Sequence, residues 1–554
     1  MHAPLIQALR EAVAACGEDG SLPGASAPEA ILLEQPRDRA HGDLATNLAM
    51  QLARPLRRPP RAIAEAVVAH LTPPPGIEAV TIAGPGFINF RLAPAYWWDR
   101  LCALHDAGER LGRHDGPPLG RVLVEFVSAN PTGPMHIGHG RGAVVGDVLA
   151  RLLEAAGYTV EREYYVNDAG NQVRTLARSI WIRLRQLTGE AVELPEDGYP
   201  GEYVREIAEA WRAAHGDALA SAPEGEAIEA LGPFGVAQML ERIRADLDRL
   251  GIRFDRWFSE RTLVESGAVP ARLAELEAAG HLAPGDGGAK VLATSRHGDD
   301  KDRVVVKSNG ELTYFATDIA YHADKLARGY DRLINVWGAD HHGYVARVKA
   351  ALAMLGGDPE RLEVVLVQMV NLMRDGVPVK MSKRAGAFVT LAEVVEEVGA
   401  DATRFFFLQR RADAMLDFDL ELAKRESNDN PVYYVQYAHA RVRSLFRLAK
   451  ERGYPLPGDD PPVHRLTEPE ELDLIQRLEA FPPLVRGAAE AAEPHRLVHY
   501  LTELAGALHA YYYKHRILGD DPELATARLY LMEAVRRVVA EGLSLLGVSA
   551  PDRM

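Results

Sequence analysis

The chain has 554 residues, with 63 basic and 78 acidic side chains and a formal net charge of −15. Hydrophobic residues make up 47% and charged residues 25%, proportions that exclude global disorder. The acidic balance argues against a protein that coats nucleic acid through bulk charge, although a local basic surface stays possible. At roughly 150 residues per domain, this length predicts about three to four folding units.

Two cysteines, Cys16 and Cys102, are too few for a disulfide scaffold or a four-cysteine zinc site. They favour a reducing, intracellular setting, and we expect a cytoplasmic protein. No run approaches the ~18 uninterrupted apolar residues that a membrane span needs, so no membrane partner is expected. The first twenty residues lack a basic start followed by an apolar core, and they predict an amphipathic helix instead of a signal peptide.

Lysine is scarce in this sequence. The 63 basic residues divide into 53 arginines and 10 lysines, and the first lysine is Lys290. Arginine could serve most solvated surface positions equally well. Each lysine is therefore informative.

The first region, residues 1–117, has helical apolar spacing, Pro-rich breaks and two strand-like runs at 81–83 and 87–90. Gly and Pro mark its end in the linker at 116–120. This combination predicts a small mixed α/β domain.

From residue 118 to 425, short apolar strands alternate with helices. Strands are predicted at 122–127, 158–166, 332–337 and 362–373, and helices at 144–156 and 345–355. This βαβ alternation predicts a parallel sheet. The stretch 185–305 interrupts the alternation with charged helices and a Gly-rich segment, and we interpret it as an insertion.

The last region, residues 426–554, is predicted to be almost entirely helical. Helical apolar spacing covers 433–447, 470–487, 493–515 and 525–546. The pattern predicts an all-α terminal bundle.

A histidine motif lies in the segment 130–142, between the first predicted strand of the parallel sheet and the helix after it. Ligands of such sheets bind at the carboxyl ends of strands, where the next helix presents free N–H groups to phosphate. His136 and His139 lie on one face of a helical turn and can donate hydrogen bonds to phosphate oxygens, while Gly138 and Gly140 permit close approach of a ligand. A zinc site is the alternative, but zinc helices usually space histidines four apart around a glutamate.

A basic loop follows the turn formed by Asp375 and Gly376. It holds two of the ten lysines within four residues, and ammonium groups there can neutralise a departing pyrophosphate. The alternative is a merely solvated basic loop, but the scarcity of lysine and the histidine motif favour the phosphate role. The residues of this loop are Lys380, Met381, Ser382, Lys383 and Arg384.

Together the two motifs resemble the His-Ile-Gly-His and Lys-Met-Ser-Lys signatures of the class I aminoacyl-tRNA synthetases. The resemblance narrows to the arginyl-tRNA synthetases through the segments 125–130, 165–172 and 314–321. Segments 41–47, 84–90 and 546–554 extend it essentially from end to end. Smaller adenylyltransferases share the histidine motif but lack the large helical C-terminal domain.

The resemblance implies a Rossmann-like catalytic domain at 118–425, an additional N-terminal domain at 1–117 that contacts tRNA, and an anticodon-binding helical domain at 426–554. It implies activation of L-arginine by ATP to arginyl-adenylate, and then transfer of arginine to the 3′ end of tRNA(Arg). Mg²⁺ would arrive with ATP and keep mostly water and phosphate ligands, so no dedicated protein metal site is expected.

By the same resemblance we expect a monomer whose activation step often needs bound tRNA. The expected catalytic residues are His136, His139, Lys380 and Lys383. The expected ATP contacts are Gly138, Gly140, Met381 and Ser382.

The amino-acid pocket is predicted from charged residues in apolar surroundings. Glu125 lies in an apolar strand, where an unpaired carboxylate would cost several kcal/mol, so it must face a cation; an internal arginine is an equal alternative to a ligand. Asp318 follows Tyr314 by four residues, and a phenol and a carboxylate on one helix face suit a guanidinium. By resemblance, Glu125 and Asn130 hold the α-ammonium end, Tyr314 and Asp318 the guanidinium, and His341 lies near the substrate.

Three polar residues, Tyr165, Asn167 and Asp168, end the predicted strand 158–166 at the same sheet edge. They could cap the next helix, since Asn and Asp commonly begin helices. Contact with arginine or ATP is the other hypothesis, and the sequence leaves both open.

Tyrosines and basic residues alternate along the predicted helix 433–447, and no acidic residue occurs from 433 to 450. Aromatic residues four apart are usually core residues, and a basic face is often only solvated. In a terminal helical domain beside this catalytic domain, anticodon binding with bases stacked on aromatic rings is the preferred interpretation. The predicted contacts are Tyr433, Tyr437, Arg441 and Arg443.

Overall fold

The computed structural model describes residues 1–36, 38–379 and 389–554, which form two compact units. One unit consists of Met1–Glu109, Leu445–Ala480 and Ala510–Val535; the other consists of Arg110–Ser444, Phe481–His509 and Arg536–Met554. The helical C-terminal region therefore contributes to both units. None of the helices in the described ranges combines the length and apolar character that a membrane crossing requires.

The N-terminal part of the chain packs helices on a small antiparallel sheet of order β1-β3-β2. Buried Leu5, Leu9 and Val13 recur at helical spacing on α1, and Ile88 and Phe90 alternate inward on β3. The mixed α/β prediction for this region agrees with these elements. They are α1 (His2–Glu18), β1 (Leu44–Thr46), α2 (Leu48–Leu56), α3 (Pro60–His70), β2 (Ile77–Ala83), β3 (Phe87–Leu92) and α4 (Pro94–Ala107).

The second unit contains a five-stranded parallel sheet of order β11-β10-β4-β5-β6, the predicted Rossmann-like architecture. Its central strand β4 is apolar and buried, as expected for a parallel sheet covered on both faces. The strands from β4 onward are β4 (Gly120–Glu125), β5 (Tyr158–Val166), β6 (Arg256–Ser259), β7 (Leu282–Pro284), β8 (Lys290–Leu292), β9 (Arg303–Val306), β10 (Arg332–Gly338), β11 (Leu362–Val367), β12 (Val370–Arg374), β13 (Val377–Pro378) and β14 (Leu416–Asp419).

Helices connect and follow these strands. The chain ends in a helical region, as predicted, but it contains five helices and not four, because the run 470–487 forms two helices, Pro469–Glu479 and Phe481–Glu490. The helices from α5 onward are α5 (Ile137–Ala155), α6 (Asn171–Leu187), α7 (Glu202–His215), α8 (Glu224–Arg249), α9 (Glu260–Glu265), α10 (Ala268–Ala278), α11 (Tyr314–Ala327), α12 (Val345–Met354), α13 (Leu391–Val398), α14 (Ala400–Phe407), α15 (Leu420–Lys424), α16 (Pro431–Glu451), α17 (Pro469–Glu479), α18 (Phe481–Glu490), α19 (His495–Lys514) and α20 (Pro522–Leu546).

Three further features differ from the sequence prediction. The run 362–373 is two strands in different sheets, since β11 pairs with β10 whereas β12 pairs with β13 and β14. The helix predicted to begin at 144 begins at Ile137, because His136 caps it despite the glycines that follow. The stretch 185–305 contributes β6 to the main sheet, so it is only partly external to that sheet.

A buried ion pair joins the helix after the histidine motif to α14. Arg404 and Asp147 are 1% and 3% exposed, and their charged atoms lie 2.5 Å apart. Arg404 also donates to the carbonyl oxygens of Leu546, at 2.7 Å, and Leu250, at 2.8 Å. Arg404 therefore ties the end of α20 and the end of α8 to α5.

Arg404→Met is expected to destabilise the fold by about 3–5 kcal/mol, because it removes the most deeply buried cation of Asp147, whose other partners are the more exposed Arg151, at 2.9 Å, and Arg162, at 3.9 Å. The urea unfolding midpoint, followed by tryptophan fluorescence, should fall clearly. Adding Asp147→Asn to this variant should recover part of the loss. Arg411→Met, at an exposed pair with Asp413, is the control and should leave the midpoint unchanged; an equal shift in both single variants would contradict the assignment.

Candidate active site

Four neighbouring parallel strands end at one edge of the five-stranded sheet. β4 ends at Glu125, β5 at Val166, β6 at Ser259 and β10 at Gly338. Loops and helix starts that follow parallel strands meet at this carboxyl edge, which is where ligands of open α/β sheets bind. The edge therefore collects the polar residues predicted from the sequence.

His136 and His139 form a stacked pair at the beginning of α5, with ring centroids 3.7 Å apart. His136 Nδ1 accepts from the Gly138 amide at 3.1 Å, and the His136 amide donates to His139 Nδ1 at 3.4 Å. Each neutral ring therefore carries its proton on Nε2. Burial lowers the pKa of both imidazoles, that of His139 to about 3 with the neighbouring His136 as a second cause. Both rings are neutral N–H donors at pH 7.

The glycines of this motif make room for parts of the protein itself. A Cβ on Gly138 would lie 3.0 Å from His136 Cε1, so this glycine accommodates the histidine ring. A Cβ on Gly140 would lie 2.4 Å from Leu391 Cδ1, so this glycine allows α13 to pack against α5. The close approach that Gly140 permits is thus made by Leu391.

The basic loop predicted at 380–384 lies outside the described residues, and its two flanks are described. On one side, the Val379 amide donates to the Leu372 carbonyl at 2.8 Å. On the other, Thr390 forms a β-bridge with His136, and the Leu391 amide donates to the Met135 carbonyl at 2.8 Å. The second flank is therefore attached to the histidine motif. The predicted site residues that fall outside the described part are Lys380, Met381, Ser382 and Lys383.

Glu125, the last residue of β4, is paired with a buried cation of its own chain. It is 6% exposed, and its Oε2 lies 2.5 Å from the Nζ of Lys325. Its Oε1 accepts a hydrogen bond from the Ser128 hydroxyl at 3.0 Å. An internal arginine was the alternative that the sequence left open; the internal partner is a lysine.

Two further carboxylates, Glu260 and Asp318, face the same region. Tyr344 donates its hydroxyl hydrogen bond to Asp318, and the Asn167 amide donates to Glu260 Oε2 at 2.8 Å. Burial, followed by the charges of Asp318 and Asp168, raises the pKa of Glu260 to about 7. Burial, with the charge of Glu125 as a further cause, raises the pKa of Asp318 to about 7. A bound cation would restore the negative charge of both groups.

The remaining predicted arginine contacts are exposed residues. Tyr314 begins α11 with 62% of its surface exposed, and the phenol that contacts Asp318 is that of Tyr344. His341 is exposed, and its ring centroid lies 6.5 Å from that of Tyr344. Asn130 is exposed, with Asn167 3.3 Å away.

Tyr165 and Asp168 do not cap α6, which begins at Asn171 without a side-chain cap. Asp168 instead accepts hydrogen bonds from the Ser259 hydroxyl, at 2.6 Å, and the Arg261 amide, at 3.0 Å. These contacts fix the end of β5 to the end of β6, beside Glu260.

Three residues of the pocket were not predicted from the sequence: Glu260, Lys325 and Tyr344. Glu260 directly follows β6, a strand that lay hidden in the presumed insertion 185–305. Lys325 had a usable signal, because it is one of only ten lysines and lies in an apolar stretch of α11.

Aromatic and basic side chains share one surface of α16 and the facing part of α19. The rings of Tyr433 and Tyr437 are nearly parallel, with centroids 6.2 Å apart, and His509 stacks on Tyr437 at 5.6 Å. Arg441 lies over the Tyr437 ring at 5.8 Å, while Arg443 pairs with Asp552 at 2.9 Å. The predicted tRNA contacts are therefore half-buried in a pre-formed aromatic and basic cluster.

In the part of the chain that the structure describes, one group of side chains has donor atoms close enough for a metal ion: Glu468, Glu470 and His515. Lys514 and His515 both bind Glu470. Since the Lys514 ammonium already compensates the Glu470 carboxylate, the group supports no metal assignment.

Family models match most of the chain. The arginyl tRNA synthetase N terminal domain matches residues 3–92, the catalytic domain of tRNA synthetases class I (R) matches 109–193 and 236–427, and the DALR anticodon binding domain matches 435–554. An arginine–tRNA ligase of Desulfosudis oleivorans is 54% identical over 550 residues, covering 99% of both chains. The chain belongs to the arginyl-tRNA synthetase family.

Further relatives match this chain along its whole length. An arginine–tRNA ligase of Geobacter sp. strain M21 is 50% identical over 556 residues, covering 100% of both chains. The structure of the Thermus thermophilus arginyl-tRNA synthetase superposes with a TM-score of 0.76 at 26% identity, covering 99% of this chain and 100% of that one. The stretch 194–235, which the catalytic match omits, contains α7 and the beginning of α8, within the predicted insertion.

Proposed function

We propose that the acidic pocket at the carboxyl edge of the sheet binds L-arginine, with Glu260 and Asp318 facing its guanidinium. The enzyme is a ligase: ATP and arginine give arginyl-adenylate and pyrophosphate, and arginine then passes to the 3′ end of tRNA(Arg). The observation that carries the pocket assignment is the pair of desolvated carboxylates, of which Asp318 is bonded to the Tyr344 phenol. Such a pair favours a planar cation with several N–H donors.

The α-ammonium end of arginine is proposed to lie at Glu125 and Asn130. Glu125 ends the strand next to β5 and β10, and its Oε1 is engaged only by the Ser128 hydroxyl among the described contacts. Tyr314 and His341 are proposed to cover the guanidinium from the exposed side. Both are exposed, so their side chains can close on a bound ligand.

In the activation step, a carboxylate oxygen of arginine attacks the α-phosphorus of ATP in line. A new O–P bond forms, and the bond from the α-phosphorus to the bridging oxygen breaks, so that pyrophosphate leaves with the electron pair. No protein nucleophile is required, and catalysis consists of positioning and charge stabilisation. His136 and His139 are proposed to donate their Nε2–H groups to ATP phosphates, where the start of α5 also favours anions.

Lys383, assisted by Lys380, is proposed to neutralise the pyrophosphate. The attachment of Thr390 to His136 supports this role, because it joins one flank of the basic loop to the histidine motif. Gly138, Gly140, Met381 and Ser382 are proposed to contact ATP. Mg²⁺ is proposed to arrive as part of the ATP substrate, with mainly phosphate and water ligands.

Two regions are proposed to contact tRNA. The cluster of Tyr433, Tyr437, Arg441 and Arg443 offers aromatic faces and guanidinium groups for anticodon bases. The N-terminal region, with proposed limits 1–117, has a cavity of about 630 Å³ whose lining includes Glu34, His41, Asn47, Phe87 and Asn89. The proposed catalytic and anticodon-binding domains are 118–425 and 426–554. A cytoplasmic monomer is proposed as the working form.

Arginine-dependent exchange of labelled pyrophosphate into ATP tests the activity, with and without cognate tRNA. Exchange that needs arginine and is not supported by lysine or glutamine is the expected result. Exchange driven equally by lysine or glutamine would contradict the arginine pocket. Absence of exchange under both conditions would contradict the activation reaction itself.

Arginine binding is expected to weaken as the pH falls below 7. In the free enzyme Glu260 and Asp318 hold protons up to about pH 7, whereas the guanidinium binds their ionised forms, so binding releases protons. With two coupled groups, the affinity should fall by up to ~100-fold per pH unit well below pH 7. Calorimetry in two buffers of different ionisation enthalpy counts the protons, and Glu260→Gln should release about one fewer. A flat profile between pH 5.5 and 7.5 would contradict the pairing.

A further inference from the structure

Lys325 is a fully buried lysine directly behind the proposed ammonium position. Its Nζ lies 2.5 Å from Glu125 Oε2, 2.8 Å from Asn335 Oδ1 and 4.4 Å from the ring centroid of Tyr321. An ammonium group has three N–H donors, and these three partners use them. The cation is therefore held in one position without contact with solvent.

The amide that holds Lys325 is itself oriented by a histidine. His322 Nδ1 lies 2.8 Å from the Asp318 carbonyl oxygen and must donate to it, which leaves Nε2 as an acceptor. Asn335 Nδ2 lies 3.0 Å from that Nε2, so the amide oxygen points to Lys325. A continuous set of hydrogen bonds therefore connects Glu125 on β4 to the backbone of Asp318 on α11.

Glu125 is also held from its other side by a strained turn. Val127 and Ser128 have φ angles of 67° and 42°, a conformation that is unusual for any residue and strained for a β-branched one. The turn places the Ser128 hydroxyl where it donates to Glu125 Oε1 and accepts from the Tyr165 amide at 3.1 Å. Both carboxylate oxygens of Glu125 are thus fixed by neighbouring groups.

A buried ion pair is seldom needed for stability, since hydrophobic residues of similar volume are often equally good. Here the charged groups that surround Glu125 are Lys325 and Asp318 on α11, with the phenols of Tyr321 on α11 and Tyr165 on β5. The negative charges of Glu125 and Asp318 repel each other. Lys325 bonds directly to Glu125, whereas no hydrogen bond joins it to Asp318 among the described contacts.

We propose that Lys325 is a positioning residue for arginine recognition: through its direct contact it holds the Glu125 carboxylate in the orientation that receives the α-ammonium group. The inference rests on the proposed ammonium role of Glu125. Lys325 does not touch arginine; it acts mainly through that carboxylate, to which it donates directly, and its charge also lowers the pKa of Asp318.

Lys325→Met removes the charge while keeping an unbranched side chain of similar length. The unpaired Glu125 should then take up a proton that arginine must displace. Arginine binding should therefore release one more proton than in the wild type. As the pH falls, the affinity of the variant should decrease by up to a further ~10-fold per pH unit. Calorimetry between pH 6 and 8 measures this slope. At saturating arginine, kcat should change little.

The analogue 5-guanidinopentanoate, which lacks the ammonium group, separates positioning from general damage. At pH 6.5, Lys325→Met should weaken the binding of arginine more strongly than the binding of this analogue, because the analogue makes no use of Glu125. Equal weakening of both ligands, with an unchanged slope, would overturn the inference. Lys349→Met is the matched control, since Lys349 lies on α12 and pairs with Glu360. This variant should bind both ligands with wild-type affinity.

The double variant Lys325→Met with Glu125→Gln covers the case in which the single variant does not fold, because it leaves no buried charge unpaired. It should fold and bind arginine and 5-guanidinopentanoate with similar affinity; a wild-type preference for arginine would overturn the inference. If the wild type shows no preference between the two ligands, the ammonium role of Glu125 fails first. In a second case, Glu125→Gln loses the preference for arginine over 5-guanidinopentanoate, whereas Lys325→Met keeps both this preference and the wild-type dependence of arginine affinity on pH. Only the role of Lys325 then fails.

Discussion

Asp318→Asn is expected to raise the KM for arginine by about 10²- to 10³-fold, which corresponds to ~3–4 kcal/mol. Truncating one partner of a buried charge pair costs this much because the guanidinium would face a neutral amide in a desolvated pocket. The amide keeps the size of the side chain, so packing around Tyr344 changes little. Arginine-dependent pyrophosphate exchange measures the change.

Asp324→Asn is the matched control for this variant. Asp324 lies on the same helix, is 38% exposed and pairs with Arg328 at 3.0 Å. The KM of the Asp324→Asn enzyme for arginine should stay within about twofold of the wild-type KM, because a partly exposed ion pair contributes little. A KM for Asp318→Asn that equals this control would remove Asp318 from the pocket.

Lys383→Ala is expected to lower the adenylation rate by about 10²- to 10³-fold, with little change in the KM for arginine. Removing a preorganised charge that acts on the leaving group typically has an effect of this size on kcat. Since the ammonium would meet pyrophosphate and not arginine, amino-acid binding should be spared. Single-turnover formation of arginyl-adenylate measures the step directly.

Lys424→Ala provides the control for the basic loop. Lys424 pairs with Glu397 and Glu421, at 2.9 and 2.8 Å. Its loss should leave adenylation at the wild-type rate. An unchanged rate in Lys383→Ala would exclude that lysine from the mechanism, and a selective rise in the KM for arginine would place it at the amino acid instead.

The parallel sheet was predictable because its strands are short apolar runs with clear boundaries. β5 has the predicted limits, 158–166, since Gly157 precedes it and polar residues follow it. The run 362–373 was wrongly predicted as one strand, because apolar periodicity does not show that the chain leaves one sheet and enters another. β6 is only four residues long and was missed for lack of any periodic pattern.

The chemistry of the site was partly predictable from charges in apolar segments. The need for a cation at Glu125 followed from its burial, and Lys325 now supplies one. Spacing along α11 predicted that Tyr314 and Asp318 together face a guanidinium, which stays a prediction, but it could not show that Tyr344, from the turn after β10, donates to Asp318. Contacts between residues on different strands and helices depend on tertiary packing. The spacing of residues along one helix gives no information about that packing.

Part of the net charge of −15 comes from the acidic residues of this pocket. Acidic residues are useful where the substrate is a cation, and Glu125, Glu260 and Asp318 are concentrated at one sheet edge. The proposed RNA contacts are correspondingly local, on the aromatic and basic face of α16.

Calorimetric titration of the wild-type enzyme with arginine and with citrulline, at pH 7.5 and with tRNA both present and absent, is the most direct measurement. Citrulline keeps the backbone groups and nearly the same shape but replaces the guanidinium by a neutral urea group. If Glu260 and Asp318 bind a cation, citrulline should bind at least ~100-fold more weakly than arginine. Glu260→Gln with Asp318→Asn should remove most of that preference. Equal binding of the two ligands by the wild type would contradict the acidic guanidinium pocket.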